Sequence, residues 1–231
     1  MKNYTHLFFD LDRTLWDFEK NSGKTFHEIF HHYKLGDYFS SFRKFFSIYT
    51  AINDKLWEKY RNGEIEKEFL RYERFDQTLR SAGICAPDLA RKIGDDYVYQ
   101  SPRKKALFPH TIPVLKYLQN KAYILCIITN GFKEVQEIKM KTGGINGFFS
   151  HVFISEDIGF QKPNPIVFDH AIKYTGAGRS MCLMIGDDLE VDVAGAANSG
   201  IDQVYFNPKK KVHSGNPTYE ISSLAELKNF L

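Results

Sequence analysis

The sequence predicts an α/β protein with a parallel sheet and a helical domain inserted after the first strand. In the second half of the chain, short apolar segments alternate with segments of helical periodicity, as in strands joined by crossover helices. A similar apolar segment opens the chain, and the residues between show helical periodicity alone. At 231 residues, the chain suits one core domain with a smaller insertion. We therefore expect a core domain of 1–16 and 102–231 and an inserted helical domain of 17–101.

Core strands are expected where apolar residues continue almost without interruption, because helices then cover both faces of the sheet. The first is expected at 4–11, and the others at 123–129, 151–155, 181–186 and 202–206. Helices are expected between them, at 111–120, 133–143, 165–176 and 190–200. Pro165 suits the first turn of its helix, and the glycines that close the last three of these segments suit helix ends.

Aromatic residues at helical spacing dominate the insertion. Phe26 and Phe30 share one helix face, Phe45 and Tyr49 share another, and glycines such as Gly63 separate such stretches. We interpret these faces as the packed core of about four or five helices, rather than as a cofactor-binding site.

Composition and charge are those of an ordinary globular protein. The net charge of +3 is too small to indicate a nucleic-acid polymer as partner, and the basic run at 209–211 suits a solvated loop. Two of the three cysteines, Cys126 and Cys182, lie inside apolar segments, as in a reduced cytoplasmic protein. No segment has the pattern of a signal peptide or the length to cross a bilayer. We expect a cytoplasmic protein with no membrane partner, either a monomer or a weak homodimer.

Polar side chains follow the predicted strands at the points where they end. Because the carboxyl ends of parallel strands share one edge of a sheet, these side chains should lie close together. Taken singly, each suits a turn, a helix cap or a surface charge, and Asp188 suits either a cap or the support of a metal. Together they favour a catalytic site made of Asp10, Asp12, Thr129, Asn130, Lys162, Asp187, Asp188 and Asp192.

The residue types at this edge indicate phosphoryl chemistry. Clustered acids require a cation, and hard carboxylate oxygens favour Mg²⁺. A lysine and a threonine hydroxyl beside that cation would bind an anion. One carboxylate can attack phosphorus and form an aspartyl-phosphate. A second carboxylate, two residues on, can protonate the leaving oxygen and later accept a proton from water. Asp10 and Asp12 have the spacing for these two tasks.

The segments DLDRTL, TNG, KPNP and GDDLEVD resemble the four motifs of the haloacid dehalogenase-like hydrolases. The insertion after the first motif resembles the C1-type helical cap of that superfamily, and 62–75 resembles the cap of its pyrimidine 5'-nucleotidase branch. The resemblance covers nearly the whole chain. It implies a Rossmann-like core with an inserted helical cap. It also implies Mg²⁺-dependent hydrolysis of a small phosphorylated metabolite, such as a nucleoside 5'-monophosphate, through an aspartyl-phosphate.

The same resemblance implies the roles of the acids. Asp10 would be the nucleophile and a Mg²⁺ ligand. Asp12 would be the general acid and base, with its backbone carbonyl on the metal. Asp187 would complete the metal site, and Asp188 and Asp192 would support it from close by.

Phosphoryl binding is assigned by the resemblance to Thr129, Lys162 and the backbone amide of Asn130. One departure from the motif is Arg13, at a position where small or acidic residues are common. Because residues alternate faces on leaving a strand, we expect its side chain to point away from the pocket.

Other chemistries of the superfamily stay open at this point. A sugar phosphomutase would use the same residues. A 2-haloacid dehalogenase needs neither Mg²⁺ nor a proton donor for its leaving halide, so Asp12 argues against it. A non-catalytic protein that binds a phosphorylated ligand would have no use for that acid either. Candidate substrate contacts in or beside the cap are Trp16, Asp17, Asn21, Trp57 and Arg71.

Overall fold

The structure is a computed structural model, and it describes residues 3–231. The chain divides into two compact units. The core unit comprises the residues through Phe18 and Lys105–Leu231, and the inserted unit comprises Glu19–Lys104. The insertion therefore begins at 19 and ends at 104, where the sequence suggested 17 and 101.

The secondary structure elements follow one another in the predicted alternation. The strands are β1 His6–Phe9, β2 Ile124–Thr129, β3 His151–Ile154, β4 Cys182–Gly186, β5 Asp202–Phe206 and β6 Tyr219–Ile221. The α-helices are α1 Phe18–His32, α2 Phe42–Arg61, α3 Lys67–Arg80, α4 Pro87–Gln100, α5 Thr111–Asn120, α6 Lys133–Thr142, α7 Ser155–Ile158, α8 Pro165–Thr175 and α9 Gly195–Asn198. A π-helical segment, Leu189–Ala194, precedes α9. Within residues 3–231, no helix combines the length and the apolar character needed to span a membrane.

A six-stranded parallel sheet forms the core unit, in the order β3-β2-β1-β4-β5-β6. The predicted α/β fold is confirmed. The sequence did not indicate β6, because this strand has only three residues and exposes Glu220 at its centre. From β1 the chain adds β2 and β3 on one side and β4 to β6 on the other. The order of the strands thus reverses at β1, and ligands bind outside the carboxyl ends of the strands at such a point.

The central strand β1 is buried on both faces. Phe9 aligns with Ile127 of β2 and with Ile185 of β4. Leu7 and Phe9 enter the hydrophobic core on one face of the sheet, and Phe8 enters the core on the other. Successive side chains of a strand point to opposite faces, so a strand between two cores has no polar alternation.

The inserted unit has an aromatic core to which each of its α-helices contributes. The ring of Phe26 from α1 lies 4.2 Å from Tyr49 of α2 and 4.6 Å from Tyr97 of α4, measured between centroids. Phe75 of α3 completes this core, with its ring centroid 5.3 Å from Tyr49. The interpretation of the aromatic faces as helix–helix packing is therefore correct.

Candidate active site

The residues that follow β1 and β4 are held close together at the carboxyl edge of the sheet. The Asp10 amide donates to the Ile185 carbonyl at 2.9 Å, which fixes the backbone of Asp10 beside β4. Gly186 ends β4, and a Cβ at that position would overlap the Asp192 carboxylate. A glycine is therefore required here for the Asp192 side chain to reach the strand end.

Lys162 is almost fully buried between two of these acids. Its ammonium donates to Asp10 Oδ1 at 2.8 Å, to Asp192 Oδ1 at 2.6 Å and to the Ile128 carbonyl at 2.8 Å. An ammonium has three donors, so these three acceptors satisfy it. Burial alone would lower the pKa of Lys162, but the charges of Asp10 and Asp192 outweigh burial and raise the pKa. In this arrangement Lys162 orients Asp10 and Asp192, and a contact with a phosphoryl group would replace one of its present bonds.

Asp10, Asp187 and Asp192 form an acidic cluster, in which one oxygen of each lies within 4.8 Å of the others. Burial raises the pKa of Asp10 from 3.8 to about 7, against the opposing charge of Lys162. Burial also raises the pKa of Asp187, with further increases from Asp10 and Asp192, and that of Asp192. The positive charge of Lys162 therefore does not fully neutralise the negative charge of the acidic cluster. A divalent cation that prefers hard oxygen ligands, such as Mg²⁺, fits this set of donors.

Asp12 lies in a different environment from Asp10. Lys139 of α6 donates to both Asp12 oxygens at 2.7 Å, and Gln136 of α6 donates to Asp12 Oδ2 at 3.0 Å. Both α6 residues are buried. This pair of residues was not predicted from the sequence. Its one signal was the presence of two polar residues three positions apart, on a helix that starts just after the TNG segment.

Thr129 is buried at the end of β2 with an oxygen that already accepts two hydrogen bonds. These come from the Gly131 amide at 3.2 Å and from Gln136 Nε2 at 2.6 Å. A hydroxyl has two acceptor positions and one proton. Thr129 can therefore donate its hydroxyl proton to an anionic oxygen.

Asn130 ties the end of β2 to the segment that carries Lys162. Its amide nitrogen donates to the Lys162 carbonyl at 2.9 Å, and its oxygen accepts from the Lys162 amide at 2.8 Å and from the Ser155 hydroxyl at 2.6 Å. The Asn130 side chain therefore positions Lys162. Ser155 is a third residue of the site that the sequence did not indicate.

Asp188 caps the π-helical segment. Its Oδ1 accepts from the amides of Glu190 and Val191, both at 2.9 Å. Asp188 is therefore a helix cap, one of the two roles considered for it, and its support of a metal stays a prediction. The Asp188 amide also donates to Asp192 Oδ2 at 3.2 Å, so this turn helps to fix Asp192.

Arg13 does not follow the strand alternation expected of it. Its φ of 67° lies in the left-handed region, so the expectation that its side chain points away from the site had no basis in the local backbone. Its guanidinium lies 4.4 Å from the centroid of the Phe18 ring. The Arg13 charge opposes the rise that burial causes in the pKa of Asp187, so Arg13 acts on the acidic cluster.

The candidate substrate contacts fall in both units. In the core unit, Trp16 is fully buried, with its ring centroid 4.6 Å from the Lys139 ammonium, and it packs as a core residue. Asp17 is half-buried and its amide donates to the Ala106 carbonyl.

In the inserted unit, Asn21 is buried, and Arg71 donates to Asp95 at 2.9 Å. Trp57 lies 5.7 Å from Tyr60 between ring centroids.

Three comparisons relate the chain to known proteins. The family described as haloacid dehalogenase-like hydrolase matches residues 7–206. The pyrimidine 5'-nucleotidase YjjG of Escherichia coli is 30% identical over 228 residues, which cover 97% of this chain and 96% of that protein. The pyrimidine 5'-nucleotidase PynA of Streptococcus pneumoniae is 27% identical over 97% of this chain and 93% of its own length. A solved structure of the HAD-hydrolase YfnB of Bacillus subtilis, bound to magnesium, superposes with a TM-score of 0.91. It is 28% identical and covers 100% of this chain and 99% of its own.

Proposed function

The chain belongs to the haloacid dehalogenase-like hydrolases, and on this premise we propose that it is a Mg²⁺-dependent phosphomonoester hydrolase acting through an aspartyl-phosphate. The observation that carries the proposal is the separation of two neighbouring acids. Asp10 lies in the acidic cluster beside Lys162, and Asp12 lies outside that cluster beside Lys139. Two carboxylates in different environments can perform two different tasks, here nucleophilic attack and proton transfer.

The bound cation would be held by Asp10 and Asp187, with Asp192 nearby, and would screen their charge from an anionic substrate. Lys162 holds Asp10 Oδ1, so Oδ2 of Asp10 attacks phosphorus. As the bond between phosphorus and the leaving oxygen breaks, Asp12 gives its proton to that oxygen. Asp12 then takes a proton from water, whose oxygen attacks phosphorus and displaces Asp10 as a carboxylate. The Thr129 hydroxyl donates to a phosphoryl oxygen.

We propose a small phosphorylated metabolite as substrate, with pyrimidine nucleoside 5'-monophosphates as the first candidates. Two relatives that match this chain over nearly its full length are named as pyrimidine 5'-nucleotidases. Magnesium in the YfnB structure supports the choice of metal.

The test is phosphate release from a panel of nucleoside monophosphates, sugar phosphates and an aryl phosphate, with Mg²⁺ and with excess chelator. We expect release with Mg²⁺ only, highest for pyrimidine nucleotides and abolished by Asp10→Asn. The matched control is Asp169→Asn, a half-exposed acid on α8 that pairs with Arg179, and it should keep wild-type activity. Full activity in Asp10→Asn, or halide release from chloroacetate with no phosphate release, would overturn the proposal.

A further inference from the structure

The Asp12 carboxylate is held by two residues from one turn of α6. Lys139 contacts both Asp12 oxygens at 2.7 Å, and Gln136 contacts Oδ2 at 3.0 Å. The same Gln136 nitrogen donates to Thr129 Oγ1 at 2.6 Å. Gln136 therefore links the acid that would move the proton to the hydroxyl that would bind the phosphoryl group.

The contact between Lys139 and Asp12 is an ion pair whose lysine is buried, whereas the Asp12 side chain is 23% exposed. The Lys139 side chain is 6% exposed, and its ammonium lies over the Trp16 ring, 4.6 Å from the centroid. The charge-assisted hydrogen bonds of this partly buried pair hold the Asp12 carboxylate in one geometry. By contrast, an exposed pair such as Lys133 with Asp157 contributes little.

Gly131 makes room for this arrangement. A Cβ at residue 131 would overlap the Gln136 amide, so the glycine of the TNG segment allows Gln136 to reach Asp12 and Thr129. The connection thus depends on the local backbone at the end of β2 as well as on α6.

We propose that Lys139 and Gln136 are positioning residues for the two proton transfers made by Asp12, an inference that rests on the proposed function. Lys139 holds the Asp12 carboxylate in the position that it has between the two transfers, after Asp12 has given its proton to the leaving oxygen and before it takes one from water. Gln136 fixes which Asp12 oxygen faces the reacting group. When water is later deprotonated, the proton returns to the same carboxyl group. Lys139 and Gln136 exchange no proton themselves.

The test compares Lys139→Met with Lys141→Met, an exposed lysine on the same helix, using an alkyl phosphate and nitrophenyl phosphate. An alkoxide leaving group needs the Asp12 proton, and a nitrophenolate scarcely needs it. We expect Lys139→Met to lower kcat/KM about 100-fold for the alkyl phosphate, the usual effect of a small misplacement of a catalytic group. The loss for nitrophenyl phosphate should be only a few-fold, and Lys141→Met should match wild type on both.

Further variants make the test independent of folding defects. Lys139→Arg should recover part of the lost rate, and Gln136→Met should show the same dependence on the leaving group as Lys139→Met. In an Asp12→Asn background, Lys139→Met should cause no further loss, because residues that act as a unit are not additive.

Equal losses of kcat/KM on both substrates, or additive losses in the Asp12→Asn background, would overturn this inference. The proposed function would still stand in that case, because the wild-type enzyme hydrolyses the phosphates. A wild-type enzyme inactive on every phosphate would overturn the proposed function and this inference with it.

Discussion

Replacing Lys162 with methionine would remove the ammonium that contacts both Asp10 and Asp192, and would leave both carboxylates buried without it. The Lys162 and Asp192 side chains are each 2% exposed, so solvent screens the charges of this pair very little. Breaking a buried ion pair from one side costs about 3–5 kcal/mol in unfolding free energy. The Ile128 carbonyl would lose its contact with the ammonium as well. We therefore expect the free energy of unfolding of Lys162→Met to be about 3–5 kcal/mol lower than that of the wild type, in metal-free buffer near neutral pH.

The assay is urea unfolding followed by tryptophan fluorescence, in which buried Trp16 reports on the core unit. The matched control is Lys133→Met, since Lys133 and its partner Asp157 are both about half exposed, and the loss should stay below about 1 kcal/mol. At about pH 5 the loss in Lys162→Met should shrink, because protonated carboxyl groups no longer need the ammonium. A loss in Lys162→Met no larger than in the control would refute the reasoning.

Further predictions concern the acidic cluster and its supports. Burial raises the pKa of Asp10 from 3.8 to about 7, so the folded state binds this proton more tightly than the unfolded state does. In the metal-free protein, the resulting contribution to the free energy of unfolding is fully present below about pH 4. About 4 kcal/mol of it is lost as the pH rises through 7. Urea midpoints against pH, referenced to Asp10→Asn, measure this loss, and Mg²⁺ should reverse it; a flat difference would contradict the burial argument. Gly186→Ala should cost about 1–3 kcal/mol in the same unfolding assay by displacing Asp192, whereas Gly147→Ala, with open space around it, should be near neutral. Asp188→Ala should cost about 1 kcal/mol through the lost cap, and an unchanged melting temperature would count against that role.

The sequence located the core strands because burial on both faces leaves an unmistakable apolar pattern. Strand ends then predicted which acids could meet, and the structure does bring Asp10, Asp187 and Asp192 together. This inference works because all strands of a parallel sheet end at one edge, whatever the lengths of the connections.

The support of Asp12 could not be predicted in the same way. Gln136 and Lys139 lie on a helix, and their direction toward Asp12 depends on how α6 packs after β2. The identity of a residue as lysine does not show whether its side chain is buried or exposed. Arg13 escaped prediction for a local reason, since a left-handed residue breaks strand alternation.

The role of Asp188 shows a third limit. A cap and a metal-supporting acid occupy the same position after a strand, so the sequence alone did not indicate the cap that the hydrogen bonds to Glu190 and Val191 show. Short strands such as β6 give no periodicity, because three residues are too few to repeat a pattern.

The most direct test of the central claim is a search for the covalent phosphoryl-enzyme. The Asp12→Asn enzyme would be mixed with Mg²⁺ and phosphate-labelled nitrophenyl phosphate, whose leaving group scarcely needs the Asp12 proton, and then quenched in acid, digested and mapped by mass spectrometry. With the base for water missing, we expect the label to accumulate on the peptide that contains Asp10 and to be absent from an Asp10→Asn, Asp12→Asn double variant. Label on any other residue, or release of phosphate at the wild-type rate with no labelled peptide, would contradict the assignment of Asp10 as nucleophile.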